Sequence, residues 1–210
     1  MRLITLHLVR HGESEWHAEN RYAGHTDIAL TKLGHAQAIE LKEWAVALKP
    51  ISIYSSDLSR AIDTARPSAE SLGLKIQIEE RLREVNFGKI EGLTPAEMES
   101  QYPELRKNFV KSPAGTLMPG GESGELALGR AMHVINEIVR RARDGDVLIV
   151  CHGTIMRLIA CDLLGIEPDE YRRAFPAIPN IGRLTLQIIG NPTEKNAKLN
   201  AELIDPQFKS

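Results

Sequence analysis

Apolar residues fill almost every position from Leu3 to Val9 (LITLHLV), which predicts a first strand covered on both faces. From Thr31 to Leu48 the period changes. Leu33, Ala36, Ile39 (with Leu41), Trp44 and Leu48 recur at helical spacing and define the expected inward face. Thr31 is the expected N-cap of that helix, and Pro50 stops it. ISIYSS reads as a second strand, followed by a helix from about Leu58 to Leu72. Pro67 falls inside this helix and is expected to kink or divide it, and Gly73 ends it. KIQI is a short third strand. A long helix is predicted from roughly Glu125 to Arg143, with Leu126, Met132, Ile135 and Ile138 or Val139 facing inward and DGD making the turn after it. VLIVCHG is the most strand-like segment, a continuous apolar run expected at the centre of a sheet. It opens into the helix TIMRLIACDLLG, which Gly165 closes; Pro168 starts another short helix, and RLTLQII and KLNAELI are two further strands.

Strands alternating with helices predict an α/β fold, a three-layer α/β/α sandwich with a mainly parallel central sheet. Residues 1–210 suit one domain, since single cores hold up to about 250 residues. The stretch from Glu84 to Gly124 carries Pro95, Pro103, Pro113 and Pro119 between short helical pieces. Residues of about 85–124 are therefore expected to form an insertion that covers the substrate pocket.

Composition narrows the partners. A net charge of -2 and a pI of about 6.4 argue against nucleic acid and anionic membranes, so an anionic ligand has to be met by a local cluster of Arg and His. Cys151 and Cys161 make neither a disulfide framework nor a metal-type CxxC, which fits a reduced, cytoplasmic protein. The apolar N-terminal stretch is too short for a secretory signal, and no run approaches the ~20 apolar residues of a membrane span. A homodimer is compatible with the edge strand and exposed helices.

Open α/β sheets place their sites at the carboxyl ends of strands, beside helix N-termini that favour anions. Two His-Gly pairs sit at such positions: His11 after the first strand and His152 after VLIVC. Adjacent parallel strands would bring them together. Arg60, just beyond the second strand, and Arg10 can point into the same crevice, giving two arginines and two histidines around a phosphate dianion. A neutral imidazole can attack phosphorus, arginines can hold the phosphoryl oxygens, and a leaving alkoxide needs a proton. Glu84, in LREVNFG, is the best-placed acid, and a bound dianion beside it would favour its protonated form. Each residue also has a plainer reading. His11 and His152 alone fit structural histidines, Arg60 a solvated surface arginine, and Glu84 a loop carboxylate like Glu79, Glu80 and Glu91. His17 and His25 are pocket residues or exposed loop histidines, whereas His7, His35 and His133 read as structural.

LVRHGESEW, SSDLSRAIDTA, LREVNFGKIEG, PGGES and VLIVCHGTIMRLI, in this order, resemble the histidine phosphatase superfamily in its phosphoglycerate mutase-like branch. The likeness spans about Leu3 to Ile189. It implies His11 as a phosphorylated nucleophile, Arg10, Arg60 and His152 as the phosphate pocket, and Glu84 as proton donor. Ser14, His17, Gly24, Gly153 and Thr154 fall on the substrate side. His17 stands where the family usually has Asn. VNFGKIEGLTP after Glu84 resembles the phosphatase members, because mutases carry a longer insertion with a tyrosine and paired arginines. The Arg140-Arg141 and Arg172-Arg173 pairs lie on other elements and are given no such role. The expected activity is hydrolysis of a small phosphorylated metabolite through a phosphohistidine, with no cofactor and no metal. The rival readings are a phosphoglycerate mutase, a metal-dependent phosphoesterase and a non-catalytic phospho-ligand binding module.

Overall fold

The computed structural model describes residues 3–176, 178–189 and 199–207. In chain order the main elements are β1 (Ile4–Arg10), α1 (Glu15–Ala18), α2 (Lys32–Leu48), β2 (Ser52–Ser55), α3 (Ser59–Leu72) and β3 (Ile76–Ile78). The stretch after β3 follows with α4 (Pro95–Gln101) and α5 (Pro103–Lys111), then α6 (Gly124–Arg141), β4 (Gly145–Cys151), α7 (Gly153–Leu164), α8 (Tyr171–Ala174), β5 (Arg183–Ile189) and β6 (Asn200–Gln207). The six strands form one sheet in the order β3-β2-β4-β1-β5-β6. The first four run parallel, and β5 and β6 are antiparallel additions at one edge. This is the expected α/β fold with a mostly parallel sheet.

The continuous apolar runs of β1 and β4 have a direct cause. Ile4, Leu6 and Leu8 join Val147, Ile149 and Cys151 in the core beneath α6 and α7. Val9, Leu148 and Val150 join Ile53 in a second core beneath α2 and α3. Both faces are covered, so no position can be polar without a partner. His7 shows the condition: buried on the α2 side, it bonds Asp146 at 2.7 Å and Thr185 at 3.1 Å and meets the Trp44 ring edge-on.

The inward face of α2 differs from the expected one. Gly34, Ala38, Leu41 and Ala45 are buried, while Leu33 and Ile39 are 53% and 45% exposed. The helix lies against α3, whose facing residues Ala61, Ala65 and Ala69 are also small. Close approach of the two backbones is favoured over burial of the largest side chains. Leu126 is likewise exposed; the inward stripe of α6 starts at Ala127 and Leu128 and continues through Ile135, Ile138 and Val139. α3 runs through Pro67 undivided. Thr31 caps α2 as expected, its hydroxyl accepting from the Gly34 N–H, and Gly73 and Gly165 end their helices in the left-handed conformation. Lys198 of the last predicted strand lies outside the described residues.

Candidate active site

The register of β1 on β4 sets the site. Arg10 pairs with Cys151, so the next residue of each strand, His11 and His152, emerge side by side. The His11 N–H donates to the Cys151 carbonyl at 3.0 Å, and the two imidazole centroids stand 5.1 Å apart. The turn after His11 lies directly on the start of α2. A Cβ on Gly12 would meet the Gly34 carbonyl at 2.6 Å, and one on Gly34 would collide with the Glu13 carbonyl. Two glycines are what allow this docking.

His11 is 1% exposed, and its Nδ1 lies 2.6 Å from the Gly12 carbonyl. A carbonyl only accepts, so Nδ1 carries the proton and Nε2 keeps its lone pair. Burial first, then the nearby Arg60, His17 and Arg10, hold the His11 pKa well below that of a free imidazole. The ring is therefore neutral and available as a nucleophile. His152, the N-cap of α7, lies 2.8 Å from the Ser56 hydroxyl through Nε2 and is also held neutral, mainly by burial and Arg60. With that hydroxyl donating, the His152 proton sits on Nδ1.

Arg60, in the first turn of α3, is fully buried and donates to the carbonyls of Thr26 (2.9 Å) and Gly24 (2.7 Å). Arg10 donates to the Ile178 carbonyl at 2.6 Å. Burial lowers its pKa to about 10, still cationic at neutral pH. Among the described residues neither arginine has a carboxylate partner in an ion pair. Arg10 Nε, Arg60 Nε and His152 Nδ1 are three of the buried side-chain polar atoms without a protein partner among the described residues. Unpaired buried donors are rare and call for an acceptor. Glu84 stands at the N-terminus of α7. Its Oε1 accepts from the N–H groups of Val85 (2.9 Å) and Ile155 (3.0 Å), and its Oε2 from that of Thr154 (2.8 Å).

A pocket of about 680 Å³ is lined in part by Arg10, His17, Glu84, Gly153 and Thr154, whereas His11, Arg60 and His152 do not line it. The His17 ring stacks on His11 at 4.9 Å, and its Nδ1 lies 3.0 Å from the Ser14 hydroxyl. Burial, Arg10 and Arg60 lower its pKa to about 3. Ser14 and Gly24 do not line the pocket; Ser14 reaches it through His17. Gly24 acts through Arg60, and a Cβ there would strike the Glu91 carboxylate. Among the described residues no group of three or more His, Cys, Asp or Glu is arranged to hold a metal, and no helix is long and apolar enough to cross a membrane.

Several residues were not singled out from the sequence. Arg130 donates to the carbonyls of Arg81, Arg83 and Glu84 and to the Glu122 carboxylate, fastening the segment that carries Glu84. Glu122 lies within PGGES and Glu91 within KIEG, so the motifs marked them without revealing their targets. Tyr22, Phe109, Arg157, Tyr171 and Arg172 line the outer pocket, and only Arg172 had drawn notice, as half of a pair without a role.

The neutral buried histidines make a prediction about acid stability. His11, His17 and His152 have folded-state pKa values below that of the unfolded chain. As pH falls below about 6.5, the unfolded chain takes up protons that the folded chain does not. Their contribution is complete above that value and is lost progressively from there down to the depressed folded-state values, about 3 for His17. The melting temperature should fall between pH 7.5 and pH 5.5, as read by scanning calorimetry; a flat or rising profile would contradict the neutral assignment.

Comparison with known proteins gives the family of the chain. A family model described as "Histidine phosphatase superfamily (branch 1)" matches residues 6–194. The glucosyl-3-phosphoglycerate phosphatase of Mycolicibacterium vanbaalenii is 31% identical over 199 residues, covering 91% of this chain and 86% of that protein. A probable phosphoglycerate mutase of Salmonella paratyphi C is 30% identical over 185 residues, covering 88% and 86%. A mycobacterial glucosyl-3-phosphoglycerate phosphatase solved with VO3 superposes with a TM-score of 0.84 at 27% identity, covering 95% of this chain and 96% of that one.

Proposed function

The chain belongs to branch 1 of the histidine phosphatase superfamily, and we propose that it is a phosphoric monoester hydrolase that works by double displacement at His11. The observation that carries this reading is the 2.6 Å contact of His11 Nδ1 with the Gly12 carbonyl, which leaves Nε2 as the unprotonated nitrogen of a buried ring that has His152 at 5.1 Å and the charges of Arg60 and Arg10 nearby. Nε2 attacks phosphorus as the bond to the ester oxygen breaks, and charge spreads onto the phosphoryl oxygens. Arg10, Arg60 and His152 Nδ1–H donate to those oxygens, with His17 as a further contact from the ring above His11. Glu84 Oε2, which accepts a single N–H, carries the proton delivered to the leaving alkoxide. In the second half the same carboxylate takes a proton from water as the water oxygen displaces Nε2, releasing inorganic phosphate.

The substrate is a small phosphorylated metabolite, in keeping with relatives named for phosphatase activity on such compounds. We extend the reading to a cytoplasmic homodimer that binds neither nucleic acid nor membrane. No step in this scheme uses a metal ion. Turnover of p-nitrophenyl phosphate is therefore expected to persist in EDTA, and loss of activity restored by a divalent ion would defeat the scheme. The mutase-named relative motivates a second reading. Conversion of 3-phosphoglycerate to 2-phosphoglycerate without phosphate release would establish it in place of the first.

A further inference from the structure

The run that carries Glu84 has no strand or α-helix of its own. Residues 83–87 lie between two short 3₁₀ turns, Glu80–Leu82 and Gly88–Ile90. Backbone groups in such a run need partners from elsewhere. One side chain on α6 supplies several. Arg130 engages all five N–H groups of its guanidinium. Its Nη1 donates to the carbonyls of Arg81 (2.8 Å) and Arg83 (2.8 Å), and its Nη2 to that of Glu84 (2.7 Å). Nε and Nη2 also grip the Glu122 carboxylate as a fork, at 3.2 Å and 2.7 Å.

Glu122 carries the grip past Glu84. Its Oε1 accepts from the Asn86 N–H (2.9 Å), and its own N–H donates to the Asn86 carbonyl (2.9 Å). His25 Nε2 stands 3.0 Å from the Glu84 carbonyl and, facing an acceptor, donates to it. The backbone is thus held on both sides of Glu84 by two residues, Arg130 and Glu122, that do not line the pocket. The Glu84 side chain is held differently. Its bonds from the N–H groups of Val85, Thr154 and Ile155 are strong to a carboxylate and weaker to a protonated acid. Proton delivery starts from the protonated form, in which that tether is weakest. The grip on the backbone is the same in both forms.

We propose that Arg130, anchored by Glu122, is a positioning residue for proton transfer, keeping the Glu84 carboxyl aimed at the leaving oxygen in both of its protonation states. The inference rests on the phosphatase reading above, with Glu84 as proton donor, and adds to that step a residue outside the pocket. Lysine is no substitute, because a compact ammonium with three donors cannot span three carbonyls and a carboxylate. Displacing a reacting group by about 1 Å costs on the order of 10²-fold in rate, so a loosened backbone at Glu84 registers in catalysis. Arg10, Arg60 and His152 sit on β1, on α3 and at the start of α7, and they keep their hold on phosphate.

Leaving-group dependence of kcat/KM tests the assignment, with orthovanadate affinity reporting the phosphate pocket. Arg130→Lys is expected to lower kcat/KM for glycerol 3-phosphate by about tenfold or more, and that for p-nitrophenyl phosphate several-fold less. Vanadate affinity should stay within about twofold of wild type, since the phosphate donors are untouched. Glu122→Gln leaves Arg130 in place but takes away the charge of its anchor, and should shift the substrate ratio in the same direction. In a Glu84→Gln background Arg130→Lys should change that ratio no further, because it acts through the carboxyl. Equal losses on both substrates, wild-type kinetics in Arg130→Lys, vanadate affinity lost in step with activity, or a ratio effect that persists without the Glu84 carboxyl would overturn the proposal. Equal losses in Glu84→Gln itself would instead remove the proton donor, and failure of wild-type enzyme on p-nitrophenyl phosphate the phosphatase reading.

Discussion

His11→Ala is expected to lower phosphomonoester turnover by about four orders of magnitude or more, because it removes the atom that forms the covalent intermediate. The donors around it would remain, and with them some stabilisation of the transition state. Without Nε2, however, the displacement has to proceed in one step with water as the attacking group. Rapid quenching of the wild-type enzyme with substrate should trap an acid-labile phosphoenzyme, located at His11 by mass spectrometry, and the variant should give none. A variant that keeps turnover within tenfold of wild type, or a phosphoenzyme elsewhere in the chain, would remove His11 from its role. The substitution leaves a hole between the rings of His17 and His152. Binding of orthovanadate by the variant therefore serves as a control that the arginine pocket is still formed.

Glu84→Gln should have the second largest effect, and one that depends on the leaving group. General acid catalysis contributes on the order of 10²–10⁴ in rate, and an alkoxide needs all of it. For an alkyl phosphate kcat should fall by about a hundredfold or more. Nitrophenolate departs with little help, so the loss on p-nitrophenyl phosphate should be several-fold smaller. The amide also turns one N–H donor towards backbone N–H groups that now donate to a carboxylate, so part of any common loss is structural. The difference between substrates reports the proton transfer. Equal losses on both would assign Glu84 to holding α7 instead.

The two strands that end at histidines were legible in the sequence because burial on both faces leaves no alternative to an apolar run. The convergence of His11 and His152 followed from parallel adjacency alone, and the β1–β4 register supplies it. The inward face of α2 was not legible. Hydrophobic spacing ranks positions by size, whereas Gly34, Ala38 and Ala45 are buried because they are small enough to admit α3 and the turn after His11. Arg172 escaped for a related reason. A pair of arginines beside Glu170 reads as a solvated charged run, and Arg173 does pair with that glutamate at 3.3 Å. Only the placement of α8 against α5 sets Arg172 over Phe109 and on the pocket wall. The position of Glu84 was readable, but its attachment to α7 was not, since Thr154 and Ile155 are seventy and seventy-one residues away in sequence.

That attachment bears on how this scaffold can be re-engineered. Glu84 is tethered at both oxygens to the first turn of the helix that His152 begins, so proton donor and phosphate cradle travel as one rigid body. The chain that carries Phe87 and Phe109 departs only after that tether. Replacing α4 and α5 while keeping Glu91, whose carboxylate holds the His25 and Thr26 amides beside the carbonyls that Arg60 uses, would therefore change the pocket wall at Phe109 and leave the phosphate cradle as it was.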